Sequence, residues 1–158
     1  MRPDRDTWAL GLANLTAERS TCLRRSVGCV LLNARGHVLA TGYNGVAAGL
    51  PHCNEASFVN LRPAISRVVY PHACAGADLP SGQGLDACQA IHAEQNALLQ
   101  CRDVYAIDTC YCTTSPCVTC IKLLLNTSCQ RIVFKHPYPH GDARIWWERA
   151  GRIWSQHA

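Results

Sequence analysis

A three-layer α/β/α sandwich around a mixed sheet of about five strands is the fold this sequence predicts. Three observations predict it. Two short β-prone runs flank a four-residue turn near the start, and strand-like and helix-like segments alternate after about residue 84. The length of 158 residues, 48% of them hydrophobic, suffices for one buried core and is too short for two ordinary domains. We therefore expect a single domain over 1–158, carrying a Cys/His/Gly-rich insertion at about 44–84.

The elements follow in chain order. Residues 6–20 place Trp8, Leu12 and Leu15 on one side, with Leu10 nearby, as an amphipathic helix would. Val27–Leu32 and His37–Tyr43 are β-prone around Asn33-Ala34-Arg35-Gly36, which predicts an antiparallel hairpin. The 44–84 stretch has no strong periodicity, and a segment of that kind is usually functional or fixed by something other than a core. Asp86–Arg102 reads as a helix, with Asp86 as its cap and Gln89 three residues on. Val104–Thr113 is a strand, and Ser115-Pro116 offers an N-cap and a first-turn proline for a helix to about Asn126. Arg131–Lys135 is a third strand, Gly141–Ala150 a helix, and Arg152-Ile153-Trp154 a short closing strand.

Composition excludes several classes. The apolar fraction and ordinary Gly and Pro content argue against a disordered or collagen-like chain. No apolar run approaches the ~18 residues of a membrane span, and Met1-Arg2-Pro3-Asp4-Arg5-Asp6 lacks the apolar stretch of a secretory signal. A cytoplasmic, reducing location is expected, where disulfides rarely persist. The 11 cysteines, an odd count, then need another explanation, and metal is the first to test. The net charge of +4 rests on 13 Arg and only two Lys, Lys122 and Lys135, without a dense basic run. Net charge by itself decides nothing; without a dense basic run no nucleic-acid partner is expected, and without an apolar span no membrane partner.

The strongest signal is His92, Cys117 and Cys120, with Glu94 beside the histidine. Two thiols three residues apart fall on one face of a helix, and near its positive end the thiolate is favoured. Two thiolates and one imidazole suit a catalytic Zn²⁺, which keeps three protein ligands and leaves a fourth position for water. Glu94, two residues past His92, is placed beside the metal rather than on it. There it could take a proton from the activated water and return it to a leaving group. Taken singly, each residue has a plainer explanation: a core histidine, a solvated glutamate, or a thioredoxin-like redox pair at Cys117–Cys120. Taken together, His-x-Glu followed by Pro-Cys-x-x-Cys is recognised as the signature of zinc nucleobase deaminases.

The chain resembles the cytidine deaminase-like superfamily and, within it, the deoxycytidylate (dCMP) deaminase family, over about Thr21–Ala150. The likeness rests on Ser20-Thr21-Cys22-x-Arg24-x-x-Val27-Gly28, Gly42-Tyr43-Asn44-Gly45, His92-Ala93-Glu94-Gln95-Asn96-Ala97 and Ser115-Pro116-Cys117-x-x-Cys120. The Gly-Tyr-Asn-Gly loop separates this family from tRNA adenosine and free-nucleoside deaminases. The resemblance implies hydrolysis of dCMP to dUMP and ammonia in pyrimidine deoxynucleotide metabolism. A zinc-activated hydroxide would attack C4 of the cytosine while Glu94 moves protons. By similarity Asn44 would meet the sugar–phosphate portion and Tyr138 would stand near the nucleotide. Arg24 and Arg102 are phosphate candidates, because Arg matches phosphate geometry. Members are often hexamers activated by dCTP and inhibited by dTTP, which implies a homo-oligomer and names those nucleotides as possible effectors. The loop departs from the family here, reading Val46-Ala47-Ala48-Gly49 where a proline often precedes the last glycine. Substrate binding survives that change more readily than effector binding.

Some members carry a second, structural zinc. The matching positions here are Cys22 and Cys53, with Cys74 and Cys88 as the remaining ligands and His52 and His72 as substitutes. Four thiolates would make a closed site that orders the insertion. A helix running from Asp86 would set Cys88 beside His92, so the catalytic helix is expected to begin nearer His92. Cys29, Cys101, Cys110, Cys112 and Cys129 are left as packed thiols. Two alternatives compete. A zinc deaminase of another nucleobase, nucleoside or tRNA would call for a basic groove in its RNA form. A non-catalytic zinc-binding interaction module would leave Glu94 without a role.

Overall fold

The structure is a computed structural model and describes residues 1–55, 57–59, 68–70, 76–77, 79–80, 83, 88–139 and 141–158. The chain runs through helix α1 (Arg5–Ala17), strands β1 (Gly28–Leu32) and β2 (Val38–Tyr43), and short β3 (Gly45–Val46). Next come β4 (Ser57–Val59), β5 (Val68–Tyr70) and β6 (Ala90–Ile91), then α2 (Ala93–Gln100) and β7 (Thr109–Thr114). The chain ends with α3 (Val118–Leu125), β8 (Arg131–His136), α4 (Asp142–Arg149) and β9 (Ile153–Gln156). The main sheet has five strands in the order β2-β1-β7-β8-β9. Its β2–β1 and β1–β7 pairs are antiparallel, and its β7–β8 and β8–β9 pairs are parallel.

The expected three layers are present, with unequal cover. Strand residues alternate between faces. Val30, Leu32, Tyr111 and Val133 meet Ala9, Leu10 and Ala13 of α1. On the other face Leu31, Ile132 and Phe134 meet Ala93 and Ala97 of α2, Ile121 and Leu124 of α3, and Ala143 and Trp147 of α4. Two glycines let the helices approach this closely. A Cβ on Gly28 would lie 1.9 Å from the Ala13 carbonyl oxygen of α1, and one on Gly42 would lie 2.3 Å from the Ala93 carbonyl oxygen of α2. Across the sheet, Asp6 of α1 accepts from the Tyr111 hydroxyl at 2.8 Å and pairs with Arg131. Arg152 donates to the Leu124 and Leu125 carbonyls, satisfying the open end of α3.

The hairpin forms as expected. Asn33 accepts from the amides of Arg35 and His37, and Gly36 takes the left-handed conformation at φ 84°. Helix α2 begins at Ala93, as the crowding of Cys88 against His92 led us to expect, rather than at Asp86, because Ala90–Ile91 pairs with Gly45–Val46; Asp86 itself lies outside the described residues. Two boundaries differ from the expectation. Strand β7 begins at Thr109 rather than Val104, since Asp103 caps a turn through its side chain to the Tyr105 amide at 2.9 Å. Helix α3 is capped at Cys117 rather than Ser115. Ser115 is taken up by β8, its amide donating to the His136 carbonyl at 2.9 Å.

Candidate active site

The site lies where the C-terminal ends of the parallel strands β7 and β8 meet the N-termini of α2 and α3. Ligands in open α/β sheets gather at such strand ends. Two of the three predicted metal ligands are themselves helix N-caps: His92 for α2 and Cys117 for α3, both in extended backbone. The Gln95 side chain accepts from the His92 amide at 2.9 Å and fixes the start of α2. Asn96 donates to the Tyr43 carbonyl at 2.8 Å and ties the same turn to the end of β2.

Among the described residues, His92, Cys117 and Cys120 bring one ligand atom each within 4.8 Å of one another. His92 Nδ1 lies 3.4 Å from Cys117 Sγ and 3.3 Å from Cys120 Sγ. A tetrahedral zinc with ordinary Zn–N and Zn–S bonds sets a nitrogen and a sulfur about 3.5 Å apart, so the donor set fits the ion in type and in spacing. Glu94 stands beside this set without joining it, with Oε2 3.5 Å from Cys120 Sγ.

The electrostatics follow from burial and from the two helix ends. Hydrogen bonding from Cys120, with help from His92, holds the Cys117 thiol down to about 4. Next to that thiolate the buried Cys120 thiol is pushed far up, and His92 is raised, chiefly by its bond to Cys117. The protein alone thus arranges one thiolate and its proton donors, and a bound dication would displace the remaining protons. Burial pushes the Glu94 carboxyl up to about 7, and neighbouring cysteine charge adds to the effect. A carboxyl poised near neutrality can both accept and return a proton.

A cleft opens above this cluster, and the predicted substrate residues fall differently within it. Asn44 and Tyr138 both line it. The Asn44 side chain spans the 25–27 segment, accepting from the Val27 amide at 2.8 Å and donating to the Arg25 carbonyl at 2.7 Å. Tyr138 is anchored by its amide to Ser115 Oγ at 2.6 Å. Arg24 also borders the cleft, but it donates to the Leu79, Pro80 and Gln83 carbonyls, bracing the insertion. Arg102 does not line the cleft; it is exposed just beyond the C-terminus of α2, the end opposite His92. The residue missed from sequence is Arg25, which lines the cleft with its guanidinium 5.5 Å from the centre of the Tyr138 ring. Its only signal was its place in the Arg24-Arg25 doublet.

Of the proposed second set, Cys74 and the substitute His72 lie outside the described residues. Cys22 and Cys88 line the cleft, and Cys53 is buried. These three do not form a cluster within 4.8 Å among the described residues. A contact of 3.2 Å between Thr21 Oγ1 and His52 Nδ1 joins the segments that carry Cys22 and Cys53. A different trio, Cys29, Cys110 and Cys112, does converge.

Known proteins place this arrangement. The deoxycytidylate deaminase of Mycobacterium phage D29 is 38% identical over 134 residues, covering 84% of this chain and 95% of the phage protein. That of Schizosaccharomyces pombe is 35% identical over 139 residues, covering 87% of this chain. The chain spans about two fifths of the length of that protein and of its Saccharomyces cerevisiae counterpart, 38% and 39%. In fold it is similar to the dCMP deaminase of cyanophage S-TIM5, crystallised with dCMP and dUMP, at a TM-score of 0.71 and 23% identity over 99% of both chains. The cytidine and deoxycytidylate deaminase zinc-binding region matches residues 3–136, which takes in the hairpin, the His92–Glu94 helix and the Cys117–Cys120 helix together. By that match, and by the zinc-fitting cluster it contains, the chain belongs to the cytidine and deoxycytidylate deaminase family.

Proposed function

We propose that this chain hydrolyses dCMP to dUMP and ammonia. The observation that carries the reading is Glu94, held beside a Cys₂His cluster yet outside it, at the floor of a cleft whose wall presents Arg25 over Tyr138. Zn²⁺ held by His92, Cys117 and Cys120 would supply Lewis acidity, bringing the pKa of a water to about 7. Glu94 would accept a first proton from that water and deliver it to N3 of the base, then take the second proton of the same oxygen and deliver it to the departing amine. Its buried carboxyl, raised to about 7, is matched to both transfers. Asn44 positions the Arg25 segment through its two hydrogen bonds. Arg25 takes the phosphate, because its planar fork matches that group and Tyr138 fixes its plane.

The test is deamination followed by ultraviolet absorbance, on dCMP and on deoxycytidine. The reading expects a clear preference for dCMP. Arg25→Ala should raise the KM for dCMP by roughly 10–100-fold, the loss of one charge-assisted contact, and leave deoxycytidine turnover nearly unchanged. Equal use of both substrates by the parent would contradict the phosphate assignment.

The second, structural zinc belongs to the same proposal, with Cys22, Cys53 and Cys88 as ligands and Cys74 as the fourth. The Thr21–His52 contact supports it, as does the shared position of Cys22 and Cys88 along the cleft. Two zinc ions per chain are expected, and one would contradict this set. The homo-oligomer and the dCTP and dTTP responses are proposed from the family alone. Velocity curves left hyperbolic and unmoved by either nucleotide would argue against those responses.

A further inference from the structure

We propose that Cys29, Cys110 and Cys112 form a closed three-sulfur site for one soft monovalent cation, with Cu(I) as the ion it fits. Cys29 lies on β1, and Cys110 and Cys112 lie on β7. All three belong to the core face covered by α2, α3 and α4, and each is 0% exposed. The Cys110 sulfur is 3.5 Å from that of Cys29 and 3.5 Å from that of Cys112, and the third separation is within 4.8 Å. The centre of such a triangle lies about 2.0–2.4 Å from each sulfur, bracketing the ~2.3 Å of a metal–thiolate bond. Thus the spacing already suits an ion at the middle.

The register makes the 3.5 Å sulfur contact of Cys29 a diagonal one. The residue directly opposite Cys29 is Cys112, yet the sulfur 3.5 Å from Cys29 is that of Cys110, the diagonal neighbour. Cα atoms of diagonal pairs stand about 7–8 Å apart, beyond the ordinary reach of a disulfide. The sulfurs converge on a point.

Ligand type and number select the ion. Three sulfurs favour soft ions such as Cu(I). Zinc in a closed site takes four ligands, and the cluster offers no fourth His, Cys, Asp or Glu donor among the described residues. The sulfurs that coordinate do so as thiolates, each thiol proton leaving to water as the ion enters.

The test uses the zinc-loaded chain, equilibrated without oxygen with Cu(I) supplied from a chelator complex and then desalted. Copper and zinc per chain are counted, and the near-ultraviolet thiolate-to-copper band is recorded. One copper per chain with zinc undiminished is expected. Cys110→Ala and, independently, Cys112→Ala should each lower bound copper at least tenfold while keeping zinc and the far-ultraviolet circular dichroism of the parent. Cys101→Ala, outside the trio, should change nothing. No uptake by the parent, uptake only as zinc leaves, or copper at the parent's level in either trio variant would each overturn the proposal.

Discussion

Strand β7 and the turn that follows it serve two sulfur clusters with opposite surroundings. Cys110 and Cys112 point into the core beneath α2, α3 and α4, where Cys29 joins them and every sulfur is sealed from water. A few residues later Cys117 and Cys120 meet His92 at a cleft, at the N-termini of two helices, with Glu94 alongside. In both, the ligand atoms lie within 4.8 Å of one another, so spacing does not make a site reactive. The difference lies in what surrounds the sulfurs. Helix ends favour thiolates, an open side admits water and substrate, and a carboxylate kept outside the ligand set moves protons. The strand cluster has none of these, and all it can do is hold an ion.

The largest effect should come from exchanging one sulfur in each cluster. Cys117→Ala is expected to abolish dCMP turnover and remove the catalytic zinc, as metal analysis would show. Cys112→Ala should keep both and lose about 1–2 kcal/mol of stability, the cost of a small core truncation. Comparable loss of turnover in the two variants would erase the distinction between the clusters.

Next in size are the two close approaches of helix to sheet. Gly42→Ala drives a methyl into the Ala93 and Ala97 backbone of the helix that carries Glu94. Gly28→Ala does the same against Ala13 of α1, on the face without the site. Both should destabilise by at least about 2 kcal/mol in denaturant unfolding. Only Gly42→Ala should also lower kcat in the protein that remains folded.

The smallest effect concerns Asp6, which joins α1 to the sheet. Its bond to Arg131 holds the carboxyl below the ordinary value of 3.8. A depressed carboxyl stabilises the fold above its unfolded pKa, and that contribution disappears as pH falls through the folded value. Asp6→Asn should therefore cost about 1 kcal/mol near pH 7 and flatten the loss of stability below about pH 4, with turnover at pH 7 unchanged.

The sheet, the hairpin and the candidate quartet of His92, Glu94, Cys117 and Cys120 were legible because each depends on local pattern. Short continuous β-prone runs mark β1 and β8, Asn33 and Gly36 mark the turn, and His92, Glu94, Cys117 and Cys120 are marked by their types and spacing. Features set by long-range contact were not. Ser115 looks like an N-cap from its neighbours, but it bonds to β8 across the sheet. Asp86 looks like a helix start, and only the crowding of Cys88 against His92 signalled the later start that the pairing of Ala90–Ile91 with Gly45–Val46 imposes. Arg24 and Arg25 are alike in sequence, and only the fold sends one to the insertion and the other over Tyr138. The convergence of Cys29 with Cys110 and Cys112 requires the β1–β7 register, which no spacing within the chain encodes.

Glu94→Gln tests the central claim most directly, because it keeps the shape of the side chain and removes only its ability to carry a proton. Zinc content and the rate of dCMP deamination should be measured on the same preparation. The account predicts zinc equal to the parent and a rate lower by roughly 10²–10⁴-fold. A variant that keeps its zinc and deaminates dCMP at a near-parental rate would contradict it.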